Sequence, residues 1–291
     1  MIGKIRRIKH TKDSADRKPI GDILGNQIET IRDPIDSVRA SPNYRESVSL
    51  AAKAVKPFQL DLEKYEGAEE ICAPKAIKII ETDGKKPAQI TLDMGKCILC
   101  GRCQEVSPDL FKIESRFAAP AKTRQDLIES LDEIMPAENK SCEMIGKELK
   151  EKINKILGRS LAVREVDAGS CNGCEVEITA LNNPVYDIER FGIHFVASPR
   201  HADVLLVTGP SSRNMEMALK RTYEATPDPK IVVAVGACAC SGGIFGDTYA
   251  TTGGIDKVVP VDVFIPGCPP RPEAILYGLL ISVDRIGNKL T

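Results

Sequence analysis

Eight cysteines in two groups of four constrain this chain more than any other feature. Cys97, Cys100 and Cys103 form a C-x2-C-x2-C run with Cys72 upstream. Cys171 and Cys174 form a C-x2-C pair, completed by Cys238 and Cys268; Cys142 and Cys240 stand outside both groups. Ten cysteines in 291 residues are too sparse for a small disulfide scaffold. The N-terminal KIRRIKH has no apolar run after it, so neither a Sec nor a twin-Arg signal is expected. Cysteines in such a chain are read first as metal or redox ligands.

The first group has the spacing of the bacterial ferredoxin run C-x2-C-x2-C-x3-C-P, in which the last cysteine of each run ligates the other cluster. Here the fourth position is Ser107, followed by Pro108. Counting back from Cys72 by the same spacing reaches Ala68, Tyr65 and Leu62, none of them an expected ligand. The missing residues are the matched set for one cluster, and Cys72, Cys97, Cys100 and Cys103 are the complete set for the other. The segment resembles a two-cluster ferredoxin that keeps one [4Fe–4S] cluster. Ala76-Ile80 and Gln89-Leu92 read as strands around a turn at Asp83-Gly84.

Around this unit the chain divides into an N-terminal arm (1–50), the ferredoxin-like domain (51–125), a charged helical linker (126–159) and a second domain (160–291). The helical pattern begins at Gln125 (QDLIESLDEI) and runs to Leu157. In the arm, Ile20, Ile23, Leu24, Ile28, Ile31, Ile35 and Val38 recur at helical steps; they suit either a helix on its own domain or one docked on a neighbouring subunit. From residue 160 strands and helices alternate: strands at 161–166, 192–196, 204–208, 231–235 and 261–265, helices at 175–181, 213–224 and 272–283. Apolar strands between helices predict a parallel α/β sheet. The fold class expected is an α+β ferredoxin-like domain followed by an α/β open parallel-sheet, flavodoxin-like domain.

Each segment of the second cysteine group follows a predicted strand, and open α/β sheets build sites outside the carboxyl ends of their strands. Gly236, Gly242, Gly243 and Gly267 let the backbone turn close to a cluster. By spacing alone an all-thiolate zinc site is the competing reading. The segments SCNGCEVEI, YDIERFGIHFVASPRHADVLLVTGP, GACACSGGIF and DVFIPGCPPRPEAIL resemble the small subunit of energy-converting [NiFe] hydrogenases, including formate hydrogenlyase, and the related 20 kDa subunit of complex I. The complex I subunit has adjacent cysteines at the positions of 173 and 174; Gly173 with Cys171 is the hydrogenase form.

The resemblance implies that Cys171, Cys174, Cys238 and Cys268 hold a proximal [4Fe–4S] cluster, giving two clusters in all. It also implies a Ni–Fe large subunit as catalytic partner, with other iron–sulfur subunits alongside and membrane subunits reached indirectly. Glu177 matches an acidic family position, suited to proton movement or a helix-dipole role; Glu175 lies beside it. His194 and His201 read as structural, and Arg190, Arg200 and Arg271 as partner-binding or charge-balancing. No residues for nickel, no nucleotide fingerprint and no Ser-His-Asp arrangement are found. A net charge of −1 and 4% aromatic residues with no Trp give no surface for nucleic acid. The longest apolar stretch near the C-terminus, Ile275 to Val283, is short of the ~20 residues a membrane span needs. The expected location is cytoplasmic, peripheral to the membrane's inner face through partners.

Overall fold

The computed structural model describes residues 47–50, 62–80, 89–114, 117–130 and 141–290. The chain divides into two units, Met1–Tyr44 and Arg45–Thr291. The first lies outside the described residues, and so do the helical face expected over Ile20 to Val38 and the turn at Asp83-Gly84.

The second unit opens with β1 (Ser47–Leu50), α1 (Leu62–Ile71), β2 (Ile77–Ile80), β3 (Gln89–Asp93), α2 (Arg102–Val106) and β4 (Phe111–Glu114). A 3-10 turn at Gln125–Leu127 then leads into β5 (Ile128–Ser130). β1 pairs antiparallel with β4, while β2, β3 and β5 form a separate three-stranded antiparallel sheet. Ile77 stands opposite Leu92 and Ile79 opposite Ile90. Ile77, Ile90, Leu92, Met94, Leu110 and Phe111 share one buried core with Cys97 and Cys103.

The stretch QDLIES departs from the helix expected of it. Charge and spacing favour a helix there, but Ile128–Ser130 pairs with Thr91–Asp93 and adds an edge strand to the first sheet. The ladder hydrogen bonds outweigh local propensity. A helix begins later, as α3 (Cys142–Leu157). Ser141 caps it, accepting from the Met144 amide, and Gly158 ends it at φ 63°. Ile145, Leu149 and Ile153 recur every four residues along one stripe and are buried in the core of the following sheet. The helix assigned to a linker is therefore one of the layers of the second sheet.

That sheet contains β6 (Leu161–Asp167), β7 (Ile193–Phe195), β8 (Val204–Thr208), β9 (Ile231–Val235) and β10 (Val263–Ile265), all parallel, in the order β10-β9-β8-β6-β7. Between them lie α4 (Gly173–Ala180), α5 (Arg213–Ala225) and α6 (Gly236–Ser241), and α7 (Pro272–Leu290) closes the chain. Side chains alternate across each strand. Val204 and Leu206 face α3 and α7, whereas Leu205 and Val207 face Leu219 of α5 and the segment around Ala121 and Leu127. Both faces are covered, which is why β8 and β9 are buried along their whole length.

The segment before β5 is fastened to the parallel sheet. Ala121 and Phe264 exchange backbone hydrogen bonds of 2.8 Å each way, and Phe117 sits in the same core as α3 and α7. None of the described helices is long and apolar enough to cross a membrane.

Candidate functional site

Cys72, Cys97, Cys100 and Cys103 line one pocket, together with Pro74, Ala76, Ile77 and Leu92. The loop between β3 and α2 winds the three-cysteine run around it. Leu99 at φ 56° and Gly101 at φ 78° both take the left-handed conformation. For Leu99 that costs about 1–2 kcal/mol. The Asp93 carbonyl accepts from the Cys97 amide at 3.1 Å and fixes the start of the loop. Cys72 follows the last turn of α1, and its sulfur accepts from the Ala76 amide at 3.2 Å. An N–H aimed at sulfur is the kind of contact that tunes a thiolate-bound metal. Burial first, and the neighbouring thiols after it, push Cys97 up to about 12 and Cys103 up to about 11. Ser107 is not among the residues lining this pocket; it is 1% exposed, and its hydroxyl has no hydrogen-bond partner among the described residues.

The second group gathers at the carboxyl ends of β6, β9 and β10. After β6, Asp167 accepts from the amides of Gly169 and Ser170 at 2.8 and 2.7 Å, turning the chain into Cys171. Asn172 at φ 68° starts α4, so Cys171 and Cys174 flank the helix entrance. Cys238 lies inside α6, a six-residue helix that the sequence pattern does not announce. Cys268 follows β10 in a loop tied to α6 by the Ala237 amide, which donates to the Gly267 carbonyl at 2.7 Å.

Glycines give the sulfurs room. A Cβ on Gly236 (φ 89°) would lie 2.6 Å from the Cys174 sulfur, and one on Gly243 would lie 3.1 Å from the Cys238 sulfur. The Cys174 thiol is pushed well above the ordinary range by burial, then by Glu175 and by Cys238, Cys268 and Cys171. Cys238 rises to about 11 by burial and by Cys268 and Cys171, and Cys268 rises by burial and by Cys171. The four thiols thus share one locus, with Cys171 and Cys268 exposed at the surface and Cys174 and Cys238 half-buried.

Both groups offer four thiols, and both have backbone held clear of the sulfurs or lined by apolar side chains. That donor chemistry fits a thiolate-held iron–sulfur cluster. Among the described residues no three His, Cys, Asp or Glu side chains are placed to hold a single metal ion.

The remaining candidates separate. Cys240 is fully buried beneath β9 and β10, its sulfur 3.5 Å from the Ile265 carbonyl, and burial raises it to about 12. Cys142 begins α3 and packs against the core of the parallel sheet. Arg190 stacks on the Phe191 ring at 4.5 Å and pairs with Glu143 at 2.9 Å, a structural use. Arg200 and His201 lie in a 3-10 turn, and His194 lies in β7. Glu177 is raised by burial and then by Glu273. Tyr186 donates to Glu273 at 3.4 Å, extending that buried acidic group. The Asp167 turn and the hydroxyl of Ser241 were missed in the sequence; D-x-G-S is a legible side-chain turn, whereas a cross-module contact has no local signal.

Residues 171–281 match the family model described as NADH ubiquinone oxidoreductase, 20 Kd subunit. That span begins at Cys171 and takes in the whole second cysteine group. The probable membrane-bound hydrogenase subunit mbhJ of Pyrococcus furiosus is 52% identical over 136 residues, covering 47% of this chain and 81% of that one. The chain belongs to the family of the complex I 20 kDa subunit and the [NiFe] hydrogenase small subunit. The family implies an iron–sulfur cluster. Formate hydrogenlyase subunit 7 of Escherichia coli is 51% identical over 142 residues, 49% of this chain and 56% of its own length. An NADH-quinone oxidoreductase subunit of Citrifermentans bemidjiense is 54% identical over 116 residues, 40% of this chain and 68% of its own length. A chain from the solved structure of the membrane-bound sulfane sulfur reductase, an archaeal respiratory complex, aligns at 39% identity and a TM-score of 0.41, covering 48% of this chain and 77% of that one.

Proposed function

We propose that this protein is an electron-transfer subunit with two [4Fe–4S] sites, working with a Ni–Fe catalytic partner in a membrane-associated hydrogenase complex that evolves or consumes H2. Cys72, Cys97, Cys100 and Cys103 hold the first cluster; Cys171, Cys174, Cys238 and Cys268 hold the second. Such clusters, when bound, carry one electron at a time. The observation that carries the reading is the presence of two separate four-thiol sites in one compact unit.

The protein's own part is placement and tuning. In the first site, Ile77 and Leu92 wall the thiols, and the Ala76 amide reaches the Cys72 sulfur. In the second, three loops converge where the sheet ends, and two of the four cysteines are exposed, which suits hand-over to a partner. The strand–helix–strand order, repeated with β1 on β4 and β2 on β3, supports the ferredoxin-like reading. The order of the parallel sheet, 2-1-3-4-5 counted from β6, is that of flavodoxin-like sheets. The hydrogenase assignment over quinone reduction rests on the Cys171-x2-Cys174 form. Attachment at the membrane's inner face comes through partner subunits.

The test uses the intact, iron-replete complex, comparing H2 with viologen dyes against quinone. H2-dependent dye reduction supports the proposal; quinone reduction without any H2 activity would replace it with a complex I-like role. Iron and sulfide counts with EPR of the reduced protein, expected near about eight iron atoms per chain, separate both from a zinc-stabilised, non-redox assembly protein.

A further inference from the structure

We propose that Ser241 is a positioning residue that couples the two cysteine sites electronically, an inference that rests on the electron-transfer reading above. Its hydroxyl donates to the Gly95 carbonyl at 2.7 Å, across 146 residues of sequence. It also accepts from the Gly243 amide at 3.3 Å. The Ala237 carbonyl, one helical turn back, lies at 3.1 Å. A hydroxyl has one hydrogen to donate, and the shorter distance falls at the optimum for O–H···O, so Gly95 is the principal acceptor. α6 does not need this contact to end, because its terminal Gly242 amide already donates to the Cys238 carbonyl.

What stands on each side of the hydroxyl gives it meaning. Ser241 closes α6, the helix that carries Cys238. A Cβ on Gly243 would lie 3.1 Å from the Cys238 sulfur. Gly95 is two residues before Cys97, in the turn whose Asp93 carbonyl receives the Cys97 amide. The same turn is held on its other side by Arg124, which pairs with Asp93 at 2.6 Å and whose guanidinium would lie 2.8 Å from a Cβ on Gly95. A bonded route therefore runs from Cys97 back to the Gly95 carbonyl and across the Ser241 hydroxyl. From there it reaches Cys238 through α6 or through the Gly243 amide. Electronic coupling decays more slowly along bonds and hydrogen bonds than across a van der Waals gap. In the step served, one electron leaves the group on Cys72, Cys97, Cys100 and Cys103, and one arrives at the group on Cys171, Cys174, Cys238 and Cys268. The first is oxidised and the second reduced by one electron each, with no atom or proton exchanged.

The test uses the full chain with its clusters reconstituted, in three variants: Ser241→Ala, Ser241→Thr and Ser241→Val. Iron, sulfide and the EPR-monitored midpoint potential of each site come first. A pulse of a dithionite-class reductant with rapid freezing then gives the rate at which the second site fills from the first. Ser241→Ala should keep both signals and both potentials while slowing that transfer several-fold. Threonine should restore the rate, and valine, its match in shape without the hydroxyl, should not. In the cluster-free chain, Ser241→Ala should speed hydrogen exchange at the Gly243 amide by about tenfold, the loss of one hydrogen bond. A wild-type transfer rate in both the alanine and valine variants, at unchanged potentials, overturns the inference, as does a threonine variant no faster than valine. A wild-type chain with no reducible cluster is a different result, and it would sink the electron-transfer reading itself.

Discussion

Replacing Gly236 with alanine tests the second site where it is tightest. The residue sits at φ 89°, and the added Cβ would meet the Cys174 sulfur at 2.6 Å. The left-handed backbone costs about 1–2 kcal/mol for a residue with a Cβ, and overpacking adds about 1–3 kcal/mol. The larger effect is positional. Reaching ordinary van der Waals separation needs a shift of about 1 Å, whereas thiolate–metal distances tolerate only about 0.2 Å. The backbone of Gly267 and the ring of Pro270 stand at 3.5 and 3.7 Å, so the strain falls mainly on the sulfur. Purified Gly236→Ala should fold with the first site intact and lose the iron of the second, halving the iron and sulfide content. EPR should show the signal of the first site alone. Full iron content with both signals present would refute the argument that this glycine gives the Cys174 sulfur its room.

Cys72→Ala should remove the same EPR signal as Cys100→Ala. Ser107→Ala should leave that signal intact and hold or raise the unfolding midpoint, since it removes a buried hydroxyl without a partner among the described residues; loss of the cluster in Ser107→Ala would mean the ligand set is wrong. Cys240→Ala should keep full iron content and cost on the order of 1 kcal/mol by urea denaturation, the loss of a small buried apolar group; iron loss would make Cys240 a ligand. In the cluster-free chain, burial holds the thiols of Cys97 and Cys240 at about 12 and those of Cys103 and Cys238 at about 11, against an ordinary 9.0. The folded state then keeps protons that the unfolded chain releases above about pH 9. That stability is present in full below about pH 9 and drains away as pH climbs through about 11 to 12; a urea midpoint that stays flat between about pH 8 and pH 11 would contradict it. Gly146→Ala, whose Cβ would run into the Phe191 ring, should lower stability by about 1–3 kcal/mol through overpacking of α3, measurable as a fall in Tm at unchanged iron content.

The sheet of the second half was legible because β8 and β9 are continuous apolar runs buried on both sides. Val204–Thr208 and Ile231–Val235 fall where the pattern predicts them. α7 extends beyond the predicted Val283 to Leu290: its last two turns are polar outside, but Ile286 is buried and Asp284 pairs with Lys152 of α3 at 2.9 Å. What escaped the pattern was decided at a distance. Ile128–Ser130 is a strand because Thr91–Asp93 supplies its hydrogen bonds, and α6 forms in a glycine-rich stretch because β9 and the Gly267 carbonyl anchor its start. Thiol spacing pointed to the first four-cysteine group and to the Cys171–Cys174 pair, since ligand chemistry is written into residue type and interval, whereas Cys238 and Cys268 came from the family resemblance. The reach of Ser241 to Gly95 depends on how two modules pack, and no interval along the chain encodes that.

The bridge between Ala121 and Phe264 has a consequence for dissecting the molecule. β10 is the outermost strand of the parallel sheet, and its far side is met by the segment that follows the first module. A fragment beginning at α3 would leave that flank with unsatisfied amides and carbonyls, a template on which a second copy could add its own strand. Cutting the protein at the apparent seam between its modules should therefore yield a self-associating α/β half in place of a well-behaved monomer, and fragments meant for separate study should carry residues 117–124 with the sheet they cover.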